Sequence, residues 1–387
     1  MIVAARRTPI GTAGHALAAL TVDQLAAPVL AAVAADAGTR CTSVNRAASI
    51  DSPLGPPIDD VILGNCLGPG GNVARISALR AGLGVEVPAV TVDRQCGSGL
   101  DAILQGGARI AAGQSELVLA GGAESASTAP HRFWPGGADV DPVRYTRAPF
   151  APDGYPDPEM GPAADSLAAM LQISRGAQDA WAARSFERTI ESQRAGRFDA
   201  ELVPVGGLDH DERPRPGFTP ERLARLPAAF VPDGTVTAGN SCGISDGAAA
   251  VAITTMKPGR PGLRILGGTV RGCDPSLPGL GPTTAITDLL RQHHLSTAEI
   301  GILEITEAFA AQVLAAVETV GFDPARVCPQ GGAIAMGHPW GASGAILVVR
   351  LFHQMLAPNG PRYGLAACAI GGGQGIAMLF ERVAGDG

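Results

Sequence analysis

Val92-Asp93-Arg94-Gln95-Cys96-Gly97-Ser98-Gly99 reads as the end of a strand running into a helix. Residues 89–92 form a short buried strand, and residues 99–113 carry the spacing of an amphipathic helix. Cys96 therefore sits at a helix N-terminus. Unpaired N–H groups and the helix dipole there favour a thiolate, which predicts a thiol pKa below the usual value. The small residues that follow let a carbonyl approach the backbone. Local context leaves two readings open: a nucleophile, or the buried structural thiol that most cysteines are.

The pattern recurs near the other end of the chain. Gly341-Ala342-Ser343-Gly344 opens a second helix, followed by a strand ending in Gly371-Gly372-Gly373. The first copy likewise runs through a helix to a strand ending in Gly121-Gly122. Two related α/β halves flanking one site explain the recurrence; chance likeness of glycine-rich turns is the alternative. Just before the second copy, Met336-Gly337-His338-Pro339-Trp340 holds an imidazole on a tight loop. A nucleophilic thiol needs a base within hydrogen-bond reach, and histidine is the usual one. The competing reading is a loop histidine that satisfies a backbone carbonyl.

Further strands are expected at 2–5, 61–63, 117–120, 251–253, 263–266, 302–305 and 365–370. Helices are expected at 22–36, 177–194, 284–293, 307–320 and 343–356. Strands alternating with helices predict largely parallel sheets covered on both faces. From about 125 to 235 strand signals fade while proline, aspartate and arginine rise. A structureless loop of that length is improbable, so this stretch reads as an inserted loop domain with its own helices. The expected units are 1–124 with 236–256, the insertion 125–235, and 257–387.

Composition excludes several classes. The 387 residues are 46% hydrophobic and 17% charged, enough for a large core and too apolar for a disordered chain. Net charge is -7, Lys257 is the only lysine, and no basic block exists, so nucleic acid is a poor partner. No run of ~20 apolar residues offers a membrane span. The N-terminus meets Arg6 and Arg7 too early for a signal peptide. Cys41, Cys66, Cys96, Cys242, Cys273, Cys328 and Cys368 are odd in number and never in a C-x-x-C pair. That argues against disulfides and metal sites, and for a cytoplasmic, reducing setting.

Taken together, the chain resembles the thiolase family over nearly its whole length. The resemblance rests on Ile2-Val3-Ala4-Ala5-Arg6-Arg7-Thr8-Pro9, the Cys96 segment and Ala120-Gly121-Gly122-Ala123-Glu124-Ser125. It continues through Ser127-Thr128-Ala129-Pro130-His131, Thr235-Val236-Thr237-Ala238-Gly239-Asn240 and Asp246-Gly247-Ala248-Ala249-Ala250. Glu307-Ala308-Phe309-Ala310-Ala311-Gln312, the His338 loop and Gly371-Gly372-Gly373 complete it. The resemblance implies an α/β, five-layered αβαβα fold of two related halves with an inserted loop domain. It implies acyl transfer between coenzyme A thioesters through an acyl-cysteine, as 3-ketoacyl-CoA thiolysis or the reverse Claisen condensation. Coenzyme A is then a substrate, no cofactor is permanently bound, and a homodimer or homotetramer is implied.

By the same resemblance Cys96 attacks and His338 removes its proton. The N–H groups of Cys96 and Gly371 form one oxyanion hole; His338 and a water held by Thr306 form the other. His131, Cys242, Phe309 and Ala369 fall on the substrate side. Three positions depart from the family. Thr306 stands where Asn or His is usual. Ala369 stands where an acid/base cysteine is usual, with Cys368 one residue early. Cys242 replaces a common serine. On a strand a one-residue shift reverses the face, so Cys368 is expected to pack away from substrate unless a bulge restores it. The acyl-transfer half is intact and the carbon–carbon half altered. That leaves an ordinary thiolase, a thiolase-like acyltransferase or thioesterase with impaired C–C chemistry, and a non-catalytic CoA-thioester-binding subunit; retention of Cys96 and His338 argues against the last.

Overall fold

Alternation along the strands sorts side chains into three separate cores. Leu117 and Leu119 face one core while Val118 and Ala120 face another. Ala366 and Cys368 share that second core, whereas Leu365 and Ala367 face a third. The period of two that divides them is the pleat of a strand buried on both faces. The computed structural model describes residues 1–39, 57–137, 139–256 and 259–385; Cys41 and Lys257 lie outside them.

The three cores lie between five layers, the middle core spanning both sides of the central helices. Helices Val22–Asp36 and Val73–Arg80 close the first. Helices Ser98–Ala111 and Trp340–Leu356 fill the middle one, between strands of both halves. Helices Gly281–Gln292 and Ala310–Val320 close the third. The order is therefore α/β/α/β/α.

Strand order repeats between the halves. In the first, Ala89–Val92, Asp60–Gly64, Leu117–Ser125, Ser245–Thr254 and Ile2–Arg7 lie side by side, which is 3-2-4-5-1 in chain order. In the second, Ile300–Ile305, Tyr363–Ile370, Gln374–Val383 and Gly262–Gly272 follow the same 2-4-5-1. The missing third strand survives as one parallel bridge from Leu303 to Val327. Directions match as well: strands 3, 2 and 4 are parallel, while 5 runs against both 4 and 1. The halves join through the pair Ile2–Leu263.

The sheet is mixed, which corrects the expectation of largely parallel pairing. The fifth strand of the second half, Gln374–Val383, follows its neighbour through Gly371–Gly373 alone. A turn that short permits only an antiparallel return; a parallel one needs a crossover of a dozen residues or more. The sequence expectations contain no strand here, since Gly371–Gly373 and Gly375 interrupt the run at its start. Glycines also hid the continuation of Leu117–Ser125 beyond residue 120.

The repeated glycine motifs are where the two central helices cross. A Cβ on Gly99 would stand 2.8 Å from the Ala345 nitrogen, and one on Gly344 would stand 2.5 Å from the Leu100 nitrogen. These contacts are equivalents of one another in the two copies. Backbone against backbone at that distance requires glycine on both helices.

Between Ser125 and Ser245 the chain leaves the main sheet. It forms the hairpin Arg132–Trp134/Val143–Tyr145 and helices Met160–Met170, Arg175–Arg194 and Pro220–Leu223. A buried ionic cluster ties this region to the core. Arg7 bonds Asp211 at 2.6 Å and Glu201 at 2.7 Å, and both Arg7 and Arg350 lie over the Phe198 ring. Among the described residues no helix is long and apolar enough to cross a membrane, and no cluster of metal-ligating side chains occurs.

Candidate active site

The turn between Val92 and Ser98 is built to present Cys96. Gln95 adopts φ 46°, a left-handed conformation costly for a residue with a Cβ. Ser98 holds the turn: its hydroxyl accepts from the Arg94 N–H at 2.8 Å and donates to the Gln95 carbonyl at 2.6 Å. Gly97 is pressed by Ile370, whose Cδ1 would lie 2.6 Å from any Cβ there.

The thiol does not have the lowered pKa expected from a helix N-terminus. Burial pushes it well up, and the neighbouring Cys368 and Cys242 thiols add to the shift. Desolvation outweighs the dipole at Cys96, which stands two residues before helix Ser98–Ala111, since a helix end acts strongly only within its first turn.

His338 lines the same cavity as Cys96 and is anchored through its backbone. Its N–H donates to the Gly243 carbonyl at 3.0 Å. Its Nδ1 lies 2.6 Å from Ser343 Oγ, and that hydroxyl donates to the Pro339 carbonyl at 3.1 Å. With the serine proton spent on Pro339, Oγ accepts from Nδ1–H. Nε2 is then the unprotonated nitrogen, and it is buried without a partner among the described residues. Burial lowers the imidazole pKa to about 4, so the ring is neutral at ordinary pH. Ser343 occupies the place in the second motif that Ser98 holds in the first; that correspondence was the only sequence signal for its role.

Cys96 and His338 line one cavity of about 110 Å³, together with Cys242, Phe309, Ala369 and Gly371. Phe150 packs on Gly371, its ring carbon 2.6 Å from where a Cβ would be. Burial pushes the Cys242 thiol up to about 12 against the pull of Arg213. Met160, Gln312 and Trp340 also line the cavity; Gln312 and Trp340 belong to the motifs quoted above, and none of the three has an assigned role from the sequence.

Three candidates are not brought to this cavity. His131 lines a different one, of about 220 Å³, with Arg132, Arg144 and Tyr145, because the chain turns outward into the hairpin after Ser125. Cys368 is fully buried in the central core, and its thiol lies 3.1 Å from Thr306 Oγ1. Strand pairing there continues without a shift, Cys368 opposite Ile376 and Ala369 opposite Gly375, so no bulge re-aims the cysteine. Thr306 is likewise buried, its hydroxyl engaged with that thiol.

Two buried glutamates brace the loops. Glu124 accepts from the N–H groups of Cys66, Leu67 and Gly341. Glu307 accepts from Trp181 Nε1 at 2.9 Å, Ser185 Oγ at 2.5 Å and the Ile334 N–H at 3.4 Å, which ties down the loop leading to His338.

A cysteine between strand and helix and a histidine beside Ser343 line one cavity, an arrangement that can carry nucleophilic catalysis. The chain belongs to the thiolase family: residues 1–257 match the model of the thiolase N-terminal domain and residues 260–382 that of the thiolase C-terminal domain. It is 40% identical to a β-ketoadipyl-CoA thiolase of Acinetobacter baylyi, over 99% of each chain. It is 39% identical to an acetyl-CoA acetyltransferase of Pseudomonas aeruginosa, again over 99% of each. The crystal structure of human mitochondrial 3-ketoacyl-CoA thiolase in complex with CoA superposes with a TM-score of 0.87 at 34% identity, covering 99% of this chain and 98% of that one. The activity class is thiolase-type acyl transfer on coenzyme A thioesters.

Proposed function

We propose that this chain cleaves 3-ketoacyl-CoA by thiolysis, or runs the reverse Claisen condensation, with Cys96 as nucleophile and His338 as base. The observation that carries the roles is the free Nε2 of His338 on the same cavity as Cys96. Cys96 Sγ attacks the 3-keto carbonyl as its proton passes to Nε2. The bond between C2 and C3 breaks, and acetyl-CoA leaves as an enolate that takes up a proton. Coenzyme A, a co-substrate and not a resident cofactor, then takes the acyl group from Cys96. The N–H groups of Cys96 and Gly371 are the proposed donors to the oxyanion. Cys242 and Phe309 bound the substrate.

A second reading has a specific observation in its favour. Ala369 occupies the cavity wall and carries no proton, while Cys368 does not line the cavity. Acyl transfer then survives while protonation of the enolate is weakened. The test of both is brief exposure to acetyl-CoA, acid quench and peptide mapping. Acetyl on Cys96 supports the acyltransferase; acetyl chiefly on Cys242 or Cys368 overturns the assignment.

The units 1–124 with 236–256, 125–235 and 257–387 are the proposed domains. Homodimer or homotetramer assembly is supported by the sheet ending at the half-buried strand Ala89–Val92. A cytoplasmic setting is supported by six free cysteines among the described residues.

A further inference from the structure

Arg350 touches both ends of the loop that carries the base. It belongs to helix Trp340–Leu356 and is 1% exposed. Its Nη1 reaches Met336 Sδ and its Nη2 reaches Gln330 Oε1, each at 3.5 Å. Gln330 opens the glycine-rich loop, and Met336 stands two residues before His338. From the inserted segment the Phe198 ring backs the guanidinium, with its centroid 4.7 Å away.

This cation has no close counter-ion. Arg7 holds Asp211 at 2.6 Å and Glu201 at 2.7 Å. Arg350 has Glu201 only at 3.8 Å, and Glu304 Oε2 at 3.5 Å from its Nε. Neither that Nε nor that Oε2 has a hydrogen-bond partner among the described residues. The other oxygen, Glu304 Oε1, accepts from Gln354 Nε2 at 2.7 Å, which keeps the carboxyl beside the helix. Arg7 and Arg350 already balance Asp211 and Glu201, and burial lowers the pKa of the nearby His353 ring. Glu304 is therefore a surplus acid. Facing it are Arg350 from the helix, Glu201 from the inserted segment, Glu307 from the turn after its own strand, and the Cys328 thiol. The neighbouring strand presents Ala366. Burial in this setting pushes the Glu304 carboxyl up to about 7.

We infer that Arg350 and Glu304 are a positioning pair for His338: ionised Glu304 fixes the guanidinium against Gln330 and Met336, and protonation of Glu304 slackens that hold on the base. This rests on the thiolase reading of the site and adds a control to it. When Glu304 takes up a proton, Arg350 keeps only Glu201, which Arg7 already occupies. A buried charge stripped of its partner is strongly unfavourable, so the guanidinium shifts toward Glu201 and off the loop. Misplacing a catalytic group by about 1 Å can cost on the order of 10²-fold. The sign follows from the charged form giving the tight hold: activity is lost as pH falls through about 7. The His338 imidazole, lowered to about 4, and the raised Cys96 thiol do not titrate there.

The test is rapid-quench acylation of Cys96 by saturating acetyl-CoA at pH values on both sides of 7, with peptide mapping of the label. The wild-type rate should rise about three- to tenfold through that range, while the acetyl-CoA concentration giving half the maximal rate stays fixed. Glu304→Gln keeps the shape without the charge, so its rate should stay at the low, acid-side value at every pH. Arg350→Met should be equally slow and flat, and Arg350→Lys should restore part of both the rate and the inflection. If the Arg350 variants do not fold, Gln330→Ala, at the half-buried end of the loop, should lower the alkaline rate instead. A pair that only stabilises the fold would lower the thermal midpoint and leave the inflection in place. A flat wild-type profile, or a wild-type inflection retained in Glu304→Gln, overturns the inference while label on Cys96 leaves the acyltransferase reading standing. No label on Cys96 at any pH sinks that reading, and this inference with it.

Discussion

Thr306 Oγ1 lies 3.1 Å from Cys368 Sγ, and both side chains are sealed inside the protein. The pairing has a chemical consequence. The hydroxyl that would hold a water on the enolate side is engaged with a thiol, and burial pushes that thiol up to about 12. Neither group is set to deliver a proton into the cavity.

Acetyl exchange between acetyl-CoA and labelled CoA should therefore be readily observed, while acetoacetyl-CoA cleavage and deuterium wash-in at the acetyl methyl lag. A general acid contributes typically 10²–10⁴-fold, about 3–5 kcal/mol. Ala369→Cys should raise the two lagging rates and leave exchange nearly unchanged. Cleavage by the unmodified protein at ordinary enzyme rates, around 10 s⁻¹ or more, would show that water or Cys368 fills the gap.

Ser343→Ala removes the acceptor at His338 Nδ1 and frees the ring to rotate or change tautomer. Acylation of Cys96 should slow about tenfold or more, with Ser343→Thr restoring most of the rate. His338→Ala should cost at least about 10²-fold, since the base itself is lost. Rapid-quench acylation measures all three, and parental rates in Ser343→Ala would show that Nδ1 needs no partner.

Alkylation of Cys96 in the free protein should keep rising with pH through 7, 8 and 9. Burial raises the thiol pKa, so the reactive thiolate stays scarce until the solution is strongly alkaline. A rate plateau reached below pH 8 would restore the helix-terminus expectation and contradict the enclosed geometry.

Gly344→Ala forces a Cβ to within 2.5 Å of the Leu100 nitrogen, with the backbone of the other central helix unable to yield cheaply. Overpacking of this kind costs about 1–3 kcal/mol or more. Urea denaturation should show the loss, and Gly99→Ala should show a similar one by the symmetry of the crossing. An unchanged midpoint in both would mean the helices can part freely.

The sequence by itself determined the family, the paired motifs and the two residues proposed to react, Cys96 and His338. These are local facts: a cysteine between a strand and a helix, a histidine between glycine and proline, each followed by a small-residue run. The same local reading caught the one-residue displacement of Cys368, because strand alternation converts position directly into face. Tertiary structure decided what depends on residues far apart in the chain. The Cys96 thiol is raised, not lowered, because burial by Cys242, Phe309 and the Tyr363–Ile370 strand outweighs a local dipole. Ser343 became the orienter of His338 only once Pro339 took its proton. His131 moved to another cavity when the hairpin turned outward. Trp340, Met160 and Gln312 come to one cavity wall from three helices. No periodicity records such convergence, since each of those residues reads locally as ordinary helix packing.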